Sequence, residues 1–170
     1  MNWEFHILYA LQEIHNPVLD KIMLFITSLG DDGWLWLAIG AVCLFFKKHR
    51  KMGLQLLLSM LCTFILGNLI LKNIFARPRP CDIDTAITLL VSRPHGHSFP
   101  SGHSMNGMVA AVALFLNNKK IGIPALVLAA LIGFSRMYLF VHFPTDVLGG
   151  FAVAALVAVA VDYVFQKRTI

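Results

Sequence analysis

Long apolar runs separated by short polar breaks dominate the chain from residue 17 to residue 165. A helix that crosses a membrane needs about 20 residues at about 1.5 Å each, so the first two runs are short. Charged residues at their ends can reach the interface, and both runs are therefore counted as spans. The pattern predicts an all-α integral membrane bundle in a single domain, residues 1–170. The six predicted spanning helices are 17–30, 33–47, 52–75, 101–117, 121–140 and 144–165.

Two segments depart from this pattern. Residues 2–14 alternate apolar and polar positions and contain Trp3, which predicts a short amphipathic helix in the membrane interface. Residues 76–100 hold three Arg, four Pro and two His and cannot continue the third span. We expect them to form an active-site loop outside the bundle.

Composition supports membrane insertion and limits the function classes. The chain is 58% hydrophobic and 14% charged, with a mean hydropathy of +0.72, whereas soluble domains are about 45–50% apolar and about 25% charged. The net charge of +5 does not indicate nucleic-acid binding, because most basic residues sit at the ends of apolar runs. Those residues are Lys47, Lys48, Arg50, Lys51, Lys119, Lys120, Lys167 and Arg168.

This charge distribution predicts the orientation in the cell membrane. Loops rich in Lys and Arg stay in the cytoplasm, so six spans place both termini there and the 76–100 loop on the extracytoplasmic side. A second group of basic residues is placed on the extracytoplasmic side, contrary to this rule. Its position there favours a functional role for these residues. Its members are Lys72, Arg77, Arg79, Arg93 and Arg136.

Several residues of that group can bind phosphate. Lys72 and Arg79 project from the end of the third span, and a planar guanidinium suits bidentate contact with phosphoryl oxygens. Ser101 occupies the N-cap position of the fourth span, and Gly102 allows the backbone to approach an anion at that helix start. Arg136 on the fifth span points to the same end, and we assign it to phosphate rather than to Asp146.

Two histidines complete a catalytic pattern. His142 and Asp146 are four residues apart at the start of the last span, so the carboxylate can accept from one ring nitrogen and fix the tautomer. The other nitrogen of His142 is then a nucleophile. His103, directly after Gly102, is left to donate a proton to the leaving oxygen.

The remaining candidates are less central. Arg93 and His95 in the long loop are candidates for contact with the leaving group. Metal binding by His103, His142 and Asp146 is disfavoured, because nearby cations would repel a divalent ion. We expect no cofactor and no metal.

The motifs resemble the three-part signature of the type-2 phosphatidic acid phosphatase superfamily. They are Lys72-x6-Arg79-Pro80, Pro100-Ser101-Gly102-His103 and Ser135-Arg136-x5-His142-x3-Asp146. The resemblance implies a metal-independent helical bundle in which His142 is transiently phosphorylated and His103 is the general acid. It further implies that Asp146 orients the nucleophile. The residues it assigns to phosphate are Lys72, Arg79, Ser101, Gly102 and Arg136.

Small members of this length resemble undecaprenyl-diphosphate or phosphatidylglycerophosphate phosphatases, although some of the former carry Asp where Gly102 stands. The expected substrate is a lipid phosphate, with undecaprenyl diphosphate as the first choice and phosphatidylglycerophosphate or phosphatidate as the alternative. Soluble haloperoxidases share the motifs but not this composition. A phosphotransferase that uses an alcohol acceptor and a non-enzymatic anion transporter are the rival classes.

Overall fold

Proline and asparagine residues mark where helices begin in this protein. In the computed structural model, which describes residues 3–167, Asn16 caps a helix whose first residue is Pro17 by accepting from two backbone N–H groups. The helices are α1 (Trp3–Glu13), α2 (Pro17–Ser28), α3 (Trp34–Phe45), α4 (Arg50–Thr63), α5 (Lys72–Phe75), α6 (Pro80–Ile83), α7 (Gly102–Asn117), α8 (Lys119–Tyr138) and α9 (Pro144–Lys167).

The helices α2 and α3 form one broken pass along α8. Near the start of α2, Asp20 accepts from the hydroxyl of Tyr138 at the end of α8. Cys43, near the end of α3, lines a cavity with Ile121 at the opposite end of α8. A 3₁₀ turn (Asp31–Gly33) joins the two helices, and Asp32 has a φ of 48° there.

The six-span prediction is therefore wrong at its first two members. The predicted spans 17–30 and 33–47 are the two halves of one candidate span, Pro17–Phe45, which is 29 residues long. Each half is too short to cross alone, because about 20 residues are needed. The other stretches long and apolar enough to cross are Arg50–Ile83, Lys119–Tyr138 and Pro144–Lys167. The 16-residue α7 runs between them.

The prediction that both termini lie together also fails. Glu4 in α1 accepts hydrogen bonds from Thr145 at the start of α9, whereas Lys167 ends that 24-residue helix. A helix of this length extends about 36 Å. The N-terminal helix and the described end of α9 are therefore at opposite ends of the bundle. Asn2 and Arg168, which belong to the predictions above, lie outside the described residues.

The second pass contains an irregular turn. Between α4 and α5 the chain forms a π-helix, Phe64–Leu71, a rare form that often occurs at functional sites. After α5, Ala76 takes a left-handed conformation with φ 42°, and residues 76–79 form no regular element. Arg79 is extended directly before Pro80 begins α6.

Small residues hold the last three helices together. Ala110, Ala129 and Ala154 are fully buried in the core cluster, and a Cβ at Gly107 would lie 3.2 Å from that of Ala129. Such residues let helices approach closely in a membrane, where water does not drive them together. Large apolar side chains such as Phe45 and Leu156 are instead exposed on the outside. Directly before α7, the backbone N–H of Ser101 donates to the carbonyl of Asp146 in α9 at 3.1 Å.

Candidate active site

One polar cavity of about 270 Å³ collects most of the predicted site residues at one end of the bundle. It lies among the end of the second pass, the start of α7 and the turn that precedes α9. Its lining includes Lys72, Arg79, His95, Gly102, His103, Arg136 and His142, together with Asp32, Asn68, Asn106 and Pro94. A site with three cations and three imidazoles suits a small, dense anion.

The ring of His142 is held from both nitrogens. Nη1 of Arg79 lies 3.0 Å from its Nε2, and Oγ of Ser98 lies 3.4 Å from its Nδ1. An arginine can only donate, so Nε2 must accept and carries the lone pair. The proton is then on Nδ1. This tautomer presents a nucleophilic nitrogen toward the cationic side of the cavity.

Asp146 reaches His142 through a serine. The closest atoms of the two side chains, Nδ1 and Oδ2, are 3.7 Å apart, which is too long for the direct hydrogen bond that the four-residue spacing predicted. Ser98 donates a short hydrogen bond to Oδ2 of Asp146, and its Oγ faces Nδ1 of His142. The backbone N–H of Phe143 also donates to Oδ2 at 2.8 Å. The carboxylate is thus fixed in place with Ser98 between it and the ring.

Burial controls the charge of the His142 ring. His142 is 2% exposed, and burial, with smaller effects of the Arg79 and Arg136 charges, lowers the pKa of its ring to about 3. Asp146 has the opposite effect and raises the pKa of His142. The imidazole is therefore neutral at physiological pH, as a nucleophile must be.

Arg79 organises the loop as well as the cavity. Nε donates to the Gly96 carbonyl at 3.0 Å and Nη2 to the His95 carbonyl at 3.2 Å. Nη1 donates to the carbonyl of Val141 at 3.1 Å in addition to its contact with His142. The side chain is 3% exposed, and a buried guanidinium is tolerated when its donors are used in this way.

Lys72 and Gly102 face each other across the cavity. A Cβ placed on Gly102 would lie 3.8 Å from Nζ of Lys72 and 3.6 Å from Oδ1 of Asn68. The glycine therefore leaves the N-terminal end of α7 open toward the lysine. Asn68 lies in the π-helix, one turn before Lys72, and was not among the predicted residues.

Arg136 retains a donor that the described residues do not use. Nη1 donates to Oγ1 of Thr27 at 2.6 Å, whereas the buried Nε has no hydrogen-bond partner within residues 3–167. A buried, unpaired donor is costly, and an oxygen of a bound anion would satisfy it.

His103 is held by an aspartate. Nε2 of His103 lies 2.8 Å from Oδ1 of Asp31, in the 3₁₀ turn that joins α2 to α3. The histidine side chain is 22% exposed and the Asp31 side chain 57% exposed. The broken first pass thus supplies a carboxylate to the second histidine.

Three of the predicted site residues do not make the contacts that were expected of their side chains. Ser101 precedes α7 at the N-cap position but makes no capping hydrogen bond, and its Oγ instead accepts from Ser104. Arg93 does not line the cavity and donates to Asp82 at 3.3 Å. His95 lines the cavity, and its carbonyl accepts from Arg79.

Further residues at the site were given no individual role from the sequence, among them Glu4, Asp31, Arg77 and Ser98. Arg77 donates to Oδ1 of Asp146 at 2.7 Å and to Oε2 of Glu4 at 2.6 Å. Its place between Lys72 and Arg79 in a basic block was the available signal. The others gave none, because Ser98 and Asp31 lie 48 and 72 positions from Asp146 and His103, respectively.

The residues that the structure describes contain no cluster of three or more His, Cys, Asp or Glu side chains suited to a metal ion. The cavity combines a neutral nucleophilic imidazole, a second imidazole beside a carboxylate and several cations. This set can bind a phosphoryl group, attack it and protonate a leaving oxygen.

Comparison with known proteins connects this geometry with a family. The PAP2 superfamily model matches residues 52–170. The chain is 40% identical over 157 residues to phosphatidylglycerophosphatase B of Bacillus subtilis, covering 84% of this chain and 73% of that protein. It is 34% identical over 161 residues to undecaprenyl-diphosphatase BcrC of Bacillus subtilis, covering 92% and 80%.

A solved structure extends the likeness to the fold. The crystal structure of a transmembrane PAP2-type phosphatidylglycerolphosphate phosphatase from Bacillus subtilis matches with a TM-score of 0.78 and 37% identity. The match covers 95% of this chain and 84% of that one. With the family model covering well over half of the sequence, this chain belongs to the PAP2 superfamily and is a membrane lipid phosphatase.

Proposed function

We propose that the protein hydrolyses a lipid phosphate or diphosphate through a covalent phosphohistidine at His142, without a metal. The observation that carries this proposal is the contact between Nη1 of Arg79 and Nε2 of His142, 3.0 Å apart. It leaves the lone pair of a buried imidazole beside a cation that can also bind a phosphoryl oxygen. A nucleophile and a charge stabiliser are thus adjacent before substrate arrives.

In the first step, Nε2 of His142 attacks phosphorus in line with the leaving oxygen. Negative charge on the equatorial oxygens is stabilised by Lys72, Arg79 and Arg136, and the unpaired Nε of Arg136 supplies one free donor. The backbone N–H of Gly102 is a further expected contact, whereas that of Ser101 already donates to the carbonyl of Asp146 at 3.1 Å. The positive charge that develops on the His142 ring is stabilised by Asp146 through Ser98.

His103 carries the proton in both steps. It donates to the departing oxygen when the phosphohistidine forms, and then removes a proton from the water that hydrolyses this intermediate. Asp31, 2.8 Å from its ring, stabilises the protonated form. The products are inorganic phosphate and the dephosphorylated lipid, and His142 returns to its neutral state.

Undecaprenyl diphosphate is the proposed first substrate, with undecaprenyl phosphate and inorganic phosphate as products. Relatives named for this activity cover 82% and 92% of the chain. Phosphatidylglycerophosphate is the second candidate, favoured by the 40% identity to a relative named for that activity. Purified protein assayed side by side on both lipids and on phosphatidate separates them by kcat/KM.

We also propose that the cavity opens on the extracytoplasmic side of the cell membrane. The basic loops at Lys47–Lys48 and Lys119–Lys120, and Lys167, lie at the opposite end of the bundle, as expected for cytoplasmic loops. In this orientation α1 is extracytoplasmic. Labelling of a cysteine introduced at Glu13 by an impermeant reagent in intact cells tests this, and protection from the reagent contradicts it.

The variant His142→Ala tests the mechanism. We expect it to release no phosphate above about 10⁻⁴ of the wild-type rate and to retain no label after acid-free quenching with radioactive substrate. Label retained in wild-type protein but absent from the variant supports the intermediate. A variant that keeps a substantial fraction of activity contradicts the nucleophile assignment.

The same preparation separates the rival functions. Hydrolysis releases inorganic phosphate alone, whereas a lipid phosphotransferase also produces a phosphorylated alcohol when one is supplied. An anion transporter releases no phosphate from lipid in detergent. The phosphate yield with and without an added alcohol therefore decides among the three.

A further inference from the structure

The first helix contacts the residues that support the cavity through Glu4. This carboxylate is 4% exposed. Its Oε1 accepts from the backbone N–H of Thr145 at 3.2 Å and from the Thr145 hydroxyl at 2.6 Å. Its Oε2 lies 2.6 Å from Nη2 of Arg77. A buried carboxylate is costly unless it is paired and hydrogen-bonded, and Glu4 is both.

Arg77 joins Glu4 to the proposed catalytic carboxylate. While Nη2 binds Glu4, Nη1 lies 2.7 Å from Oδ1 of Asp146 and 2.6 Å from Oγ1 of Thr145. The guanidinium carbon is 4.1 Å above the centre of the Phe143 ring, which fixes the plane of the fork. One cation thus lies between two carboxylates, and it contacts the oxygen of Asp146 that Ser98 does not use.

Without the charge of Glu4, Arg77 would act on Asp146 alone. Asp146 would then be paired with a full positive charge and would stabilise the developing charge on His142 less well. With Glu4 present, the cation is shared, and Asp146 keeps more of its negative charge for the Ser98–His142 side. Nη1 of Arg77 also holds Oδ1 while Ser98 and the backbone N–H of Phe143 hold Oδ2, so that Oδ2 remains directed at Ser98.

We propose that Glu4 is a positioning residue for Asp146, acting through Arg77 and Thr145, so that α1 is part of the catalytic apparatus. This inference rests on the proposed function, since it assigns Asp146 the task of stabilising His142. Packing of Phe5 against Phe143, with ring centres 5.2 Å apart, holds α1 in register with the network. The amphipathic pattern of residues 2–14 indicated only a membrane anchor.

The charge of Glu4 can be removed with little change in shape. Glu4→Gln keeps an oxygen to accept from Thr145 but loses the ion pair with Arg77. We expect kcat to fall about tenfold with KM within about twofold of wild type, because the variant disturbs the chemical step and not the phosphate contacts. Glu13→Gln, an exposed glutamate at the other end of the same helix, is the control and should retain wild-type values. An equal loss in both variants, or a loss confined to KM, overturns the inference.

A double-mutant cycle separates positioning from general destabilisation. In an Asp146→Asn background, Glu4→Gln should cost less than about twofold, because the group through which Glu4 acts is already neutral. If Glu4→Gln instead lowers kcat by the same factor in both backgrounds, Glu4 has only a structural role and the inference is wrong.

Binding of two anions gives a test that needs no lipid substrate. Orthovanadate can form a five-coordinate adduct with a histidine nitrogen, as in the transition state, whereas inorganic phosphate binds only as a ground-state anion. We expect Glu4→Gln to weaken vanadate about tenfold and phosphate less than about twofold. Equal weakening of both contradicts the role of Glu4. Failure of wild-type protein to hydrolyse any lipid would instead count against the proposed function. The ratio of the vanadate and phosphate affinities would still test the role of Glu4.

Discussion

The His142 side and the His103 side of the cavity differ in their access to water. The side chains of His142 and Asp146 are 3% and 0% exposed, whereas those of His103 and Asp31 are 22% and 57% exposed. On the first side, Arg79 and Ser98 contact both ring nitrogens of the histidine. On the second side, a single carboxylate in a surface turn contacts the ring.

This difference matches the two roles in a covalent mechanism. A nucleophile needs one fixed tautomer and an unprotonated ring, and burial between fixed partners provides both. A general acid and base must gain and lose a proton in every cycle and exchange it with water, which a partly exposed ring beside a carboxylate allows. Variants on each side should therefore affect different steps of the reaction.

After His142→Ala, the largest effect is expected for His103→Asn. With a lipid substrate, loss of the proton donor should lower kcat by about 10²–10⁴-fold. With p-nitrophenyl phosphate, whose leaving group needs no proton, the phosphohistidine should still form and then hydrolyse slowly. Rapid-quench kinetics should show a burst of one nitrophenol per protein. Absence of a burst, with a proportionally slow first turnover, would mean that His103 is needed for attack itself.

A smaller effect is expected on the buried side from Ser98→Ala. Asp146 and His142 would remain 3.7 Å apart with no hydroxyl between them, so the tautomer is less well fixed and kcat should fall about 10–100-fold. The burst with p-nitrophenyl phosphate should slow in the same proportion. Ser59→Ala, which removes a fully buried serine hydroxyl from α4, is the matched control and should leave kcat unchanged. Equal rates in wild type and Ser98→Ala would show that Ser98 has no role in the reaction.

The parts of the candidate site that lie in short motifs were predictable from the sequence. The cavity brings together Lys72, Arg79, Gly102, His103, Arg136 and His142, all of which were predicted. Their positions at helix ends could be read from Pro, Gly and the apolar runs. Their supporting contacts could not be predicted, because Ser98 and Asp31 come from other segments and carry no local signal.

The span count failed for a related reason. The sequence Gly30-Asp31-Asp32-Gly33 is typical of a turn between two helices, and hydropathy does not reveal whether the chain reverses there. In the structure the chain continues in the same direction, because Gly33 and Asp32 adopt left-handed conformations and Gly33 packs against Met60. The resulting kink brings Asp31 to His103. The segment that was wrongly predicted to separate two spans therefore supplies Asp31 to the candidate site.

A weaker effect on the exposed side is expected for Asp31→Asn. The amide can still contact His103 but no longer stabilises its protonated form, so kcat for a lipid should fall about tenfold. The burst with p-nitrophenyl phosphate should keep its rate, since the first step then needs no acid. Asp162→Asn, at the far end of α9, is the control carboxylate. A slower burst in Asp31→Asn would show that this side also governs attack by His142.

The last expected effect is on stability at acid pH rather than on a rate, and it is tested at His142. The pKa of His142 falls from its ordinary value of 6.5 to about 3 on folding, so above pH 6.5 the ring is neutral in both the folded and the unfolded chain. Below pH 6.5 the unfolded chain binds a proton that the folded protein does not, and stability falls by up to about 1.4 kcal/mol per pH unit. The free energy of unfolding in detergent should therefore decrease by about 2 kcal/mol more between pH 6.5 and pH 5 in wild type than in His142→Asn, which has no titrating ring. Parallel curves for the two proteins would mean that His142 accepts a proton in the folded state and that burial does not keep its ring neutral.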